Sequence, residues 1–173
     1  MLIYLQMIES DEDKSKFEAI YLKYRYLMFS VANRILENRY DAEDAVHQAF
    51  VSILNNLEKI KEADSPETRA YVVIITENKA IDIVRTRRRF TGGEPEEALH
   101  GVEIRLPGDG GLADAMAGLS ARYRNALLLR FGYGYGTREL ARLMGMTESA
   151  VQKLIWRAKK ALKKQLERGE GET

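Results

Sequence analysis

The chain has 173 residues, 45% of them hydrophobic and 31% charged, with a formal net charge of +1; this balance marks a globular protein of one ordinary or two small domains, not a disordered segment. The absence of Cys excludes a disulfide framework and any thiolate zinc site. No apolar run approaches the ~18 residues of a membrane span, and the N-terminus lacks the basic start and small-residue cleavage site of a signal peptide, so a cytoplasmic protein is expected.

The N-terminal segment MLIYLQMIES reads as the first turns of a helix. Phe17, Ile20, Tyr21, Tyr24, Leu27, Met28, Val31, Ala32, Ile35 and Leu36 then recur at helical spacing. Residues 38–40 break the pattern, and Asp41 is suited to cap the next helix, with Glu43 and Asp44 in the first turn where the helix dipole favours acids. That helix carries an unbroken apolar stripe from Ala42 to Leu57. After a polar loop, Ser65 and Pro66 read as an N-cap followed by proline at the first helical position. The third helix runs into the basic residues 85–89 and is apolar on two sides, which predicts a helix wedged between neighbours. Tyr71, Asn78, Asp82 and Arg85 fall on the narrow stripe left over.

Residues 91–111 are acidic, Gly-rich and aperiodic, and read as a flexible interdomain linker. Helical pattern resumes after Ser120, breaks at Gly132, Gly134 and Gly136, and resumes from Thr137. The near-neutral total charge hides an uneven distribution. Residues 68–90 hold 6 basic and 2 acidic side chains, net +4; residues 91–118 hold 1 and 6, net −5; residues 121–168 hold 12 and 3, net +9. Two basic blocks separated by an acidic segment suit two surfaces that meet phosphate, although solvated helix faces would look the same.

The most specific pattern is residues 137–158, which match a helix-turn-helix. Such a unit needs a small residue where its helices cross closely, supplied by Ala141, and a turn residue able to take positive φ, supplied by Gly145. Leu140, Met144, Met146, Val151 and Leu154 provide the apolar lining, and Thr147 is placed to cap the second helix. On a helical wheel Val151, Leu154, Ile155, Ala158 and Leu162 share one face. Ser149, Lys153, Trp156 and Lys160 point the other way, with Gln152 and Arg157 flanking. That outer face offers the donors and cations a major groove requires. A Trp at such a position packs on a neighbouring helix as readily as on a base.

With these residues in view, the chain resembles the sigma-70 family of bacterial RNA polymerase sigma factors, in its minimal two-domain, extracytoplasmic-function form. The resemblance covers nearly everything from Phe17 to Leu166 except the linker. It implies an all-α protein of two small helical domains, residues 1–90 and 112–173, joined by residues 91–111. Residues 41–50, DAEDAVHQAF, are similar to the family's helix that docks on the clamp coiled coil of the polymerase β′ subunit. By resemblance Asp41, Glu43, Asp44, His47 and Gln48 are the candidate contacts, although helix capping alone also accounts for Asp41.

Residues 68–89 resemble the helix that recognises and melts the −10 promoter element, which implies DNA contacts from Tyr71, Asn78, Lys79, Arg85, Arg87 and Arg88. Tyr71 stands where the family commonly has Trp, and Ile74 and Glu77 stand where Arg is frequent; an exposed Glu77 would repel phosphate. Asn78 and Asp82 also suit purely structural hydrogen bonds. Residues 119–162 resemble the region that reads the −35 element, with Ser149, Gln152, Lys153, Trp156, Arg157 and Lys160 as contacts.

The resemblance implies core RNA polymerase and promoter DNA as partners and leaves room for an anti-sigma factor. No cofactor, metal, membrane or small-molecule substrate is expected. Two other readings compete: a stand-alone helix-turn-helix regulator and a sigma-like decoy that holds polymerase. An enzyme fits worst, because the chain has two His, no Cys and no phosphate-loop motif; the segment GYGYG lacks the Lys and Ser/Thr that should follow.

Overall fold

In the computed structural model the described residues are 1–92 and 111–171, and all regular structure among them is helical. They form α1 (Leu2–Leu5), α2 (Asp11–Leu36), α3 (Arg39–Leu54), α4 (Pro66–Thr91), α5 (Gly111–Ala117), α6 (Ala121–Leu127), α7 (Thr137–Leu143) and α8 (Glu148–Gly171). The chain divides into two compact units, Met1–Val84 and Arg85–Thr173, the division falling within α4. Most of the expected linker, residues 93–110, lies outside the described residues.

The first unit is built on α2, α3 and the first part of α4. Ala32 and Leu36 of α2 meet Ala42 and Ala45 of α3 and Ala80 of α4, with Phe29, Val46 and Ile83 packed around them. Small side chains at these positions let the helix backbones approach closely, and larger ones fill the periphery. Helix boundaries follow local chemistry. The N-terminal segment does not run into α2: α1 ends at Leu5, and α2 starts afresh at Asp11, capped by the Ser10 hydroxyl, which accepts the Asp13 N–H. α2 ends where Glu37 takes a left-handed conformation, φ 49°. The cap of α3 is Asn38, not Asp41. The Asn38 Oδ1 accepts the Asp41 N–H at 3.1 Å, which places Asp41 inside the first turn. Both residues cap well, and the earlier one wins because Glu37 has already ended the preceding helix. Ser65 caps α4 as its sequence suggests, accepting the Thr68 N–H at 3.1 Å.

In the second unit α5, α6 and α8 share a core of Met116, Leu119, Leu127 and Ala158. α5 has no counterpart among the elements expected from the sequence. Ser120 caps α6. One turn of π-helix follows at residues 128–132, then Gly134 at φ 72°, and α7 begins with the Gly136 N–H donating to the Glu139 carboxylate at 2.7 Å.

Candidate nucleic-acid and polymerase-binding surfaces

α7 and α8 form the helix-turn-helix. Gly145 sits in the turn at φ 60°, a conformation that side-chain-bearing residues adopt only at a cost. Thr147 caps α8 by accepting the Ala150 N–H at 3.1 Å. Leu140, Ala141, Met144, Val151, Leu154 and Ala158 are buried, and Met146 is half-buried, with its sulfur 3.2 Å from an Arg122 nitrogen. Arg138 of α7 pairs with Glu148 of α8 at 3.3 Å across the exposed side of the turn.

Ser149, Gln152, Lys153, Trp156, Arg157 and Lys160 are all exposed. The helix period has therefore separated an inner set that packs from an outer set that is available. Trp156 is 62% exposed, so it is not buried against a neighbouring helix, and the Lys160 ammonium lies 5.2 Å from its ring centroid. A second aromatic, Phe131, lies exposed just ahead of α7 with the Lys159 ammonium 4.8 Å from its centroid. The outer face is rich in cations and aromatic surface, the combination that meets phosphate and base edges.

The candidate −10 residues on α4 divide differently. Arg87 is exposed, and Lys79, Arg85 and Arg88 are half-buried. Burial holds the Lys79 ammonium pKa below its ordinary value, against the opposing pull of the Asp82 carboxylate. Tyr71 and Asn78, expected on a polar stripe open to solvent, are 1% and 3% exposed. The physical reason is that α4 is covered on every side from Tyr71 to Asn78, so no solvent-facing stripe exists there. The structural hydrogen bond expected for Asn78 is absent at its Nδ2, which is buried with no partner among the described residues. Glu77 is fully buried, so its carboxylate is not presented to phosphate.

On α3, Glu43, Asp44 and His47 are exposed, and Asp41 and Gln48 are half-buried. Gln48 donates to Asp44 at 3.0 Å, and Arg39 pairs with Glu43 at 3.0 Å. The five side chains form one broad polar arc, with Glu43 and His47 on the flank towards α2. His47 also carries a contact that no local sequence signal announced: its Nδ1 lies 2.6 Å from the Tyr4 hydroxyl of α1. Burial, and secondarily the neighbouring Tyr21, push the Tyr4 hydroxyl pKa above its ordinary value. The Ser-x-x-Asp pattern at Ser10 and Asp13 was the one available sign that the N-terminal segment is a separate piece.

Among the described residues no group of three or more His, Cys, Asp or Glu side chains is placed to hold a metal ion. Among them, too, no helix is long and apolar enough to cross a membrane.

Residues 20–90 match the family model described as Sigma-70 region 2, and residues 110–162 match Sigma-70, region 4. The chain belongs to the sigma-70 family, in its extracytoplasmic-function type. The ECF RNA polymerase sigma factor SigJ of Mycobacterium tuberculosis is 29% identical over 171 residues, covering 86% of this chain and 49% of SigJ; this chain thus spans about half of SigJ's length. The RNA polymerase sigma factor SigV of Bacillus subtilis is 25% identical over 144 residues, covering 80% of this chain and 83% of SigV. Among solved structures, the sigma factor RpoE in complex with the anti-sigma factor NepR from Bartonella quintana aligns at 20% identity and a TM-score of 0.39, over 87% of this chain and 96% of that one.

Proposed function

We propose that this protein binds core RNA polymerase in the cytoplasm and directs transcription initiation from a specific set of promoters, without catalysing a reaction itself. Residues 1–90 bind polymerase through Asp41, Glu43, Asp44, His47 and Gln48 of α3, and address the −10 element through the basic end of α4. Residues 112–173 read the −35 element, and residues 91–111 connect the two. The observation that carries the reading is the outer face of α8. Six polar, cationic or aromatic side chains stand exposed there, opposite an inner face on which Val151, Leu154 and Ala158 are buried. They belong to a chain whose other half matches the sigma-70 region 2 model.

Lys153 and Arg157 supply donors to base edges, Trp156 supplies apolar surface, and Lys160 neutralises phosphate. The cationic side chains of α4, Lys79, Arg85, Arg87 and Arg88, add charge where the downstream strand passes. Tyr71 and Asn78 contribute to that step only if α4 is uncovered when the promoter opens. Binding through such cations releases counterions and weakens steeply with salt.

Runoff transcription with purified bacterial core polymerase and a library of promoter fragments tests the reading. Initiation from a defined subset, lost in Arg157→Ala, is the expected result. Tight polymerase binding without initiation would favour a decoy, and no polymerase binding would leave a stand-alone DNA-binding regulator.

A further inference from the structure

The start of α8 carries a charge of the wrong sign for DNA. Ser149, Gln152, Lys153, Trp156, Arg157 and Lys160 are neutral or cationic, whereas Glu148 opens the helix with a carboxylate. Its side chain is 53% exposed and stands one turn before Gln152, on the same flank of the helix. An acid in the first turn suits the helix dipole, which would account for Glu148 by itself.

It does not account for the partner. Arg138, in the first turn of α7, is 76% exposed, and its Nε donates to one Glu148 carboxylate oxygen at 3.3 Å. An ion pair this open to water contributes little to stability, and the buried faces of α7 and α8 already hold the unit together. The contact engages only the Nε of the guanidinium and one oxygen of the carboxylate. The two terminal nitrogens of Arg138 and the second oxygen of Glu148 lie outside it. A guanidinium donates in a planar fork, so it can hold a carboxylate on one edge and a phosphate on another. A carboxylate at the major groove accepts from the cytosine N4 amino group and meets only acceptors on guanine and thymine. Without a cation beside it, the same carboxylate would be repelled by the flanking phosphates.

We propose that Arg138 and Glu148 act as one unit in reading the upstream element. Arg138 anchors on a backbone phosphate and neutralises Glu148, and Glu148 accepts from a cytosine amino group at the edge of the site. Glu148 is then a specificity-determining residue, and Arg138 its positioning residue. The proposal rests on the −35 reading of α8 and adds to it a carboxylate that the rest of the outer face lacks.

The test uses the full chain bound to core polymerase and a promoter library randomised across the upstream element. Sequencing the bound fraction gives the base preference at each position, and titration of single fragments gives Kd. Wild type should favour cytosine at one edge position by about 5-fold or more, the low end for a single base contact. Glu148→Ala should abolish that preference and leave the others intact. Glu148→Gln should move it towards adenine, the base that pairs with an amide side chain. Arg138→Ala should weaken binding at every sequence and lower the slope of log Kd against log salt by about 1. Adding Glu148→Ala to Arg138→Ala should recover part of that loss, because the unneutralised carboxylate is gone. A pair that only braced the turn would change the melting temperature and leave base preferences alone. Unchanged preferences in Glu148→Ala, with Arg157→Ala still altering the selected sequences, would overturn this proposal and keep the −35 reading. If the wild type selects no upstream sequence, both fall together.

Discussion

Replacing Trp156 with Ala tests the proposed DNA-reading role of α8 separately from its folding. With the side chain 62% exposed, roughly 80 Å2 of a large aromatic's ~200 Å2 is covered, worth at most about 2 kcal/mol at ~25 cal/mol per Å2. The Lys160 contact adds about 0.5 kcal/mol at a solvent-exposed site, and the better helix propensity of Ala returns about the same amount. The fold therefore loses no more than about 2 kcal/mol. A base contact made by the ring is worth about 1–3 kcal/mol, or about 5- to 150-fold in Kd. Trp156 is the only Trp of the chain, so its emission reports directly on the proposed reading surface. Titration of a labelled −35 duplex, followed by anisotropy and by Trp emission, should show quenching or a blue shift at saturation for the wild type. Trp156→Ala should bind more weakly by a factor in that range while remaining folded, its stability in urea lower by no more than about 2 kcal/mol. Unchanged emission at saturation, together with a Kd change of less than about twofold, would refute the assignment of Trp156 to the DNA surface.

Leu154→Ala acts on the opposite face. It empties a buried position and should cost about 2–5 kcal/mol in urea denaturation, and a loss below about 1 kcal/mol would mean that α8 is not packed through that residue. Thr147→Ala removes the acceptor for the Ala150 N–H and should cost about 1 kcal/mol, with Thr147→Ser recovering most of it. Burial raises the folded pKa of the Tyr4 hydroxyl above its ordinary value, so the folded chain holds that proton more tightly than the unfolded one. The stability it contributes is complete below pH 10.0 and declines as pH rises from there through the folded pKa. Tyr24 has the same sign, so the informative quantity is the stability difference between wild type and Tyr4→Phe. That difference should shrink above about pH 10 in denaturation curves, and a constant difference would contradict the assigned shift.

The two faces of α8 were legible in the sequence because amphipathic periodicity, the small residue at Ala141 and the turn at Gly145 are local signals. The wedged character of α4 was legible too, since its apolar residues lie on two sides. What periodicity could not supply was the covering of the remaining stripe. Tyr71 and Asn78 look polar in sequence, and only packing from elements distant in the chain buries them. The start of α3 was misplaced by three residues because Asn38 and Asp41 are equally good caps, and the choice depends on where α2 ends. The Tyr4–His47 contact spans 43 residues and has no local signature, so it came into view only with the fold. α5 is one short run of small residues beside the linker and carries too little pattern to stand out.

The division of labour on α8 also bears on how such a protein could change its targets. Positions 149, 152, 153, 156 and 157 touch little of the protein's interior, while Val151, Leu154 and Ala158 hold the unit together. The two sets share a helix but no positions. Mutation can therefore rewrite the readable alphabet of this surface without passing through unfolded intermediates. A library randomised at the outer positions should retain folded members in high proportion while its preferred DNA sequences diverge.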